Sequence, residues 1–123
     1  MLRFKARIRE TGKVKEVVEI SYLKKIVMLK LNESYLIKTL DEVELLSGTG
    51  FLDKSGREIF EGDVVKIIPY GFKAPEVMIG TVLWNGIIGR FEVFVDARNI
   101  LDEQYLSLGE LKITSSIEVE VKE

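Results

Sequence analysis

The sequence contains no cysteine and no histidine, and only two of its 123 residues are proline. Without cysteine there is no disulfide framework, no thiol nucleophile and no thiolate metal site. Without histidine there is no imidazole base and no imidazole zinc ligand. Together the two absences remove Ser-His-Asp and Cys-His catalysis and nearly all zinc chemistry. Long apolar runs are also lacking. The longest, such as Ile26-Val27-Met28-Leu29, fall far short of the roughly 18–20 residues that a spanning helix needs. The first ten residues alternate charged and apolar side chains and do not build the apolar core of a signal peptide. A soluble protein kept in the cytoplasm of its cell is therefore expected, with no membrane among its partners.

What is present favours a folded chain. Hydrophobic residues make up 46% of the sequence, which with so little proline argues against disorder. The length suits one domain, or two small lobes sharing a core. Charge is unevenly spread. Residues 1–39 hold ten Lys/Arg against four Asp/Glu, a net +6, and residues 40–123 hold eight against sixteen, a net −8. Such asymmetry suits a polyanion-binding face beside an acidic body, or two lobes or two copies that attract each other.

The periodicity is that of β structure nearly throughout. Leu2, Phe4, Ala6 and Ile8 alternate with Arg3, Lys5, Arg7 and Arg9, a period of two. Glu10-Thr11-Gly12 then predicts a three-residue turn closed by a G1 bulge, because glycine enters the left-handed region without strain. The register expected across this hairpin sets Ile8 opposite Val14, Phe4 opposite Val18 and Leu2 opposite Ile20, with Glu19 opposite Arg3. Further strands are expected at 25–31, 35–39, 63–68, 77–84, 90–95 and 117–121. Residues 40–46 are compatible with a short helical turn capped by Asp41 or with a strand. Ser47-Gly48-Thr49-Gly50 is the candidate break between lobes. Asn85-Gly86 marks a turn, with Gly89 leaving room for a wider loop. Residues 101–111 read as irregular with one helical turn.

Four groups of residues carry candidate function. Arg3, Lys5, Arg7 and Arg9 would lie about 6.5–7 Å apart on one strand face, close to phosphate spacing in nucleic acids. Few aromatics interleave with them, and a charged row also keeps an edge strand from aggregating. Tyr70, Phe72 and Lys73 fall in a loop that, with Trp84 and Phe91, is a candidate binding surface. Asp53, Glu58, Glu61 and Asp63 surround Gly56 and Gly62. Their spacing does not match a calcium loop, and Lys54 and Arg57 offer ion pairs instead. Asp53 is expected to cap its own turn by accepting from amides two residues on. No nucleophile–base pair and no phosphate loop can be assembled, so neither catalytic residues, metal nor cofactor are expected.

The segment Gly50-Phe51-Leu52-Asp53-Lys54-Ser55-Gly56-Arg57-Glu58-Ile59-Phe60-Glu61-Gly62-Asp63-Val64-Val65 resembles the signature of the YopX family, small proteins mostly of bacteriophages and prophages. Gly50, Asp53, Gly56, Ile59, Glu61, Gly62 and Asp63 fit its pattern. Phe4-Lys5-Ala6, Val43-Glu44-Leu45-Leu46, Gly80-Thr81-Val82 and Gly89-Arg90-Phe91 resemble flanking family segments. A tryptophan near Ala6–Arg7 and the family's usual C-terminal run are absent. The resemblance implies a phage or prophage accessory protein in the host cytoplasm and supplies no catalytic residues.

The reading that follows is a mainly β protein with at most short helices. Residues 1–48 would form an antiparallel β-meander, and residues 49–123 a small SH3-like barrel carrying the signature. The expected role is a non-enzymatic protein-binding or self-assembling module, with itself or a host protein as partner. The alternative is a nucleic-acid-binding module using the basic face of the first strand.

Overall fold

The computed structural model describes residues 3–71, 77–95 and 104–120. The chain divides into two compact units, Met1–Gly48 and Thr49–Glu123, and every strand pairing with a described register is antiparallel. The first unit holds β1 (Phe4–Ile8), β2 (Val14–Ser21), β3 (Ile26–Lys30), β4 (Tyr35–Thr39), a one-turn 3-10 helix (Leu40–Glu42) and the start of β5 (Val43–Leu52). Its strand order is β4-β3-β2-β1-β5. The second unit holds β6 (Glu58–Phe60), β7 (Val64–Pro69), β8 (Met78–Asn85), β9 (Arg90–Val95), β10 (Gln104–Ser107), α1 (Leu108–Thr114) and β11 (Ser115–Val119). There the order is β10-β9-β8-β7-β11, while β6 lies next to β5.

The two orders are the same. In each unit four strands meander, a short helical segment follows, and a fifth strand returns to pair with the first, β5 on β1 and β11 on β7. What recurs is the pattern of strands and turns. Among the described residues the second sheet stays open between β10 and β11, so closure into the expected barrel is not seen there.

Each unit has its own core. Ala6, Ile8, Val27, Leu29 and Val43 are buried together in the first, and Val17, Ile20, Leu36, Leu40 and Leu45 pack on them. In the second, Ile59, Val65, Ile67, Val82, Val93, Val95, Ile117 and Val119 are joined by Leu108 and Leu111. Those two leucines stand three apart and so share one face of α1. Ser107 starts that helix, its hydroxyl accepting from the Glu110 amide.

The first hairpin forms, but one residue out of the expected register. The Gly12 amide donates to the Ile8 carbonyl, and the Ile8 amide to the Lys13 carbonyl. Gly12 (φ 73°) and Lys13 therefore oppose Ile8 together, and the ladder continues as Arg7–Val14 and Lys5–Glu16. A one-residue slip turns every side chain to the other face. Val14 and Val18 consequently meet solvent at 43% and 51% exposure. A second irregularity between Val17 and Glu19 restores the pattern, setting Val17 opposite Leu29 and Ile20 opposite Val27. Leu2 lies outside the described residues.

Other expectations are corrected in the same way. The division between the units falls within Ser47–Gly50, as expected, but the segment is strand and not a loop, since β5 runs through it and Gly48 donates to the Arg3 carbonyl. Residues 40–46 supply both alternatives in sequence, a 3-10 turn and then a strand. The cap is a box between Thr39 and Glu42, with Asp41 outside it. Strand β1 is not an edge, being flanked by β2 and β5. Strands β6 and β10 add to the expected set: each has at most four residues, too few to show a period.

Candidate functional site

The family-like segment folds as two pinned turns. Asp53 is buried, and its carboxylate accepts three backbone N–H groups. Oδ1 takes those of Ser55 and Arg57, both at 2.9 Å, and Oδ2 takes that of Val119 at 3.1 Å. The side chain thus closes its own turn and fastens β11 to it. Gly56, at φ 80°, reverses the chain where a side chain would be strained. Burial pushes the Asp53 carboxyl up, but the amides of Val119, Arg57 and Ser55 outweigh burial and hold it below the ordinary aspartate range. The second turn repeats the device. Asp63 Oδ2 accepts from the Phe60 amide at 2.8 Å, Gly62 sits at φ 87°, and the Gly62 amide reaches the Val82 carbonyl.

These contacts give Asp53 and Asp63 structural roles. Asp53 spends both oxygens on backbone and Asp63 its Oδ2, and Lys54 pairs with Glu118 at 3.1 Å. Among the described residues no three acids gather where a metal ion would be held. Ile59 is a fully buried core residue. Gly80 belongs to the same arrangement, since a Cβ there would press on Val93 Cγ1 and stand 2.8 Å from the Phe94 carbonyl oxygen. Only hydrogen fits between β8 and β9 at that point.

The basic row is interrupted by acids. Arg7 is bound to Glu44 of β5 at 3.1 Å, and Lys5 stands opposite Glu16 of β2. Glu42 accepts from the Thr39 amide and hydroxyl. Those bonds, with Lys38 nearby, hold its carboxyl below the usual range. Arg3 and Arg9 are exposed, whereas Lys5 and Arg7 are only partly so. The face therefore presents cations between carboxylates, an arrangement that weakens attraction for a polyanion.

The third group is better built for binding. Trp84 and Phe91 face each other across β8 and β9 with ring centroids 4.8 Å apart, and Trp84 is 49% exposed. Beyond them the four-residue loop 86–89 carries Ile87 at 97% exposure and Ile88 at 56%. Asn85 organises this loop. Its Oδ1 accepts from the Ile87 and Ile88 amides, and its Nδ2 donates to Glu92 Oε1 at 2.7 Å. Arg90 grips the other Glu92 oxygen through Nε and Nη2. Glu92 is buried, and the Asn85 amide and Arg90 guanidinium hold its carboxyl below the usual range. The wider loop rather than the two-residue Asn-Gly turn is formed, with the left-handed residue at Gly89 (φ 67°).

Tyr70 is exposed just past β7, its amide donating to the Thr114 carbonyl. Phe72 and Lys73 lie outside the described residues. The structure brings Trp84 together with Phe91, and adds Ile87 and Ile88, which sequence reasoning passes over. Two apolar residues between two glycines at a turn are the available signal.

Two units of one strand order, the second carrying tightly pinned glycine turns, define a small antiparallel β protein. The chain matches the family model described as YopX protein over residues 5–104, and it belongs to the YopX family. It is also similar to the crystal structure of protein EF1440 from Enterococcus faecalis, with a TM-score of 0.56 and 16% identity. That likeness covers 98% of this chain and 91% of the other, and it bears on the fold alone. No curated relative matches the chain. Among the described residues no helix is long and apolar enough to cross a membrane.

Proposed function

We propose that the protein is a non-enzymatic protein-binding module of a phage or prophage, acting in the host cytoplasm through the β8–β9 hairpin. The observation that carries this reading is the loop tip. Ile87, Ile88 and Trp84 expose apolar surface within five residues, while Asn85, Arg90 and Glu92 hold the loop in one shape. Exposed apolar residues are ordinary singly, but a cluster marks an interaction site. A preordered loop loses less entropy on binding, and a Trp anchor is typical of residues that dominate interface energy.

The strand order of the second unit, whose last strand pairs with the first of its meander after a short helix, suits an SH3-like barrel. That analogy is one of fold and names no ligand. A test is site-specific photo-crosslinking from position 87 in host cells, with position 18 as the control. One recurrent protein adduct from 87, absent from 18 and lost in Trp84→Ser, supports the reading. Equal adduct patterns from both positions refute it.

A further inference from the structure

A second exposed tip lies in the first unit, in the hairpin that corresponds to β8–β9. Strands β2 and β3 are the second and third strands of the first unit's meander, as β8 and β9 are of the second's. Their turn carries Tyr22 at 68% exposure and Leu23 at 94%. Leu23 and Ile87 are the two most exposed large apolar residues described. Lys24 and Lys25 follow Leu23, and both are exposed. Lys25 sits at φ 56°, the one described non-glycine residue with a positive φ, in a region that side chains occupy only under strain. The Lys24 amide donates to Ser21 Oγ at 3.2 Å, which keeps the turn shaped with Leu23 outward.

The complement to this tip is found on the second unit. On α1, Ile113 is 80% exposed, and Glu110, three residues earlier on the same helix face, is exposed too. An apolar residue beside a carboxylate matches an apolar residue beside two ammonium groups. Net charge points the same way: Met1–Gly48 carries +3 and Thr49–Glu123 carries −5. Leu23 and Ile113 are both open in the single chain.

We infer that the occupant of the β2–β3 tip is a second copy of this chain, with Leu23 against Ile113 and Lys24 or Lys25 against Glu110. This goes beyond the proposed binding role, and it uses residues other than those of the Trp84 loop. A contact between two different surfaces is met twice in a two-fold dimer or once at each step of a ring or open chain. It is small, so association is weak and concentration-dependent.

The test is light scattering at low salt on four samples: the protein, Lys24→Glu, Glu110→Lys, and an equal mixture of the two variants. The protein is expected to exceed its 14.0 kDa mass progressively with concentration. Each variant alone should associate about tenfold more weakly, since like charges then face each other across the contact. The mixture should recover assembly, because opposite charges meet again where the two variants touch. Leu23→Ser, at an exposed position, should weaken it without changing the melting temperature.

A strict monomer across the micromolar range overturns the inference, as does a mixture that fails to recover. Binding of the tip to anionic vesicles or to an acidic foreign protein, with no self-association, also overturns it and assigns the tip elsewhere. Crosslinking from position 87 should be unchanged in Lys24→Glu, so failure here and failure of the proposed function are separable.

Discussion

Replacing Asp53 by Ala removes one carboxylate and three acceptor positions. The amides of Ser55 and Arg57 belong to exposed residues, so water can serve them after the change. Val119 is buried, and its N–H would be left without its partner at a cost of about 1–3 kcal/mol. Losing the charge-assisted bonds adds to this, for a total of about 3 kcal/mol. With a urea slope of about 1.5–2 kcal/mol/M, the unfolding midpoint should fall by about 1.5–2 M. Asp53→Asn would keep the shape but turn an N–H donor toward another donor, giving an intermediate loss. The carboxyl is held below its ordinary value, so its contribution is present above about pH 4 and disappears as pH falls further. Asp53→Ala should therefore flatten the acid limb of the stability profile. A midpoint shift under about 0.5 M would refute the assignment of Asp53 as the fastening between turn and β11.

Three further outcomes follow from the same geometry. Gly80→Ala should destabilise by about 3 kcal/mol or prevent folding, whereas Gly56→Ala, with open space around it but φ 80°, should cost only about 1 kcal/mol. Both are read by urea unfolding. Arg7→Ala should change stability by less than about 1 kcal/mol, and less still in high salt, since the Glu44 pair is exposed. Ile87→Ser should leave the unfolding midpoint within error, because that side chain is 97% exposed.

Much of the fold is legible wherever local chemistry is decisive. Asn32-Glu33-Ser34 separates two five-residue strands as the turn chemistry implies, and Asp53 closes its turn through the Ser55 amide. Register is not legible, because Gly12 and Lys13 together oppose Ile8 and the expected alternation of Val14, Val18 and Ile20 ignores the later bulge. A bulge changes which face is buried without changing composition. The common strand order of the two units is hidden for a related reason. It resides in which strands pair, and pairing between strands distant in sequence leaves no periodic trace. At the candidate site, Trp84 is visible as an aromatic before a turn. Its partner loop is not, because exposure of Ile87 and Ile88 depends on the Asn85–Glu92–Arg90 arrangement, which only cross-strand pairing creates. The basic row is plain in sequence, yet Glu16 and Glu44 come beside it only through β2 and β5.

The most direct measurement retains proteins from a bacterial lysate on the tagged chain and compares Ile87→Ser with the double variant Arg3→Glu, Arg7→Glu. Loss of one specific partner in Ile87→Ser, with full retention in the double variant and in moderate salt, is expected. Full retention by Ile87→Ser, with loss in the double variant and release by salt, would contradict the loop-tip reading and return the basic strand to first place.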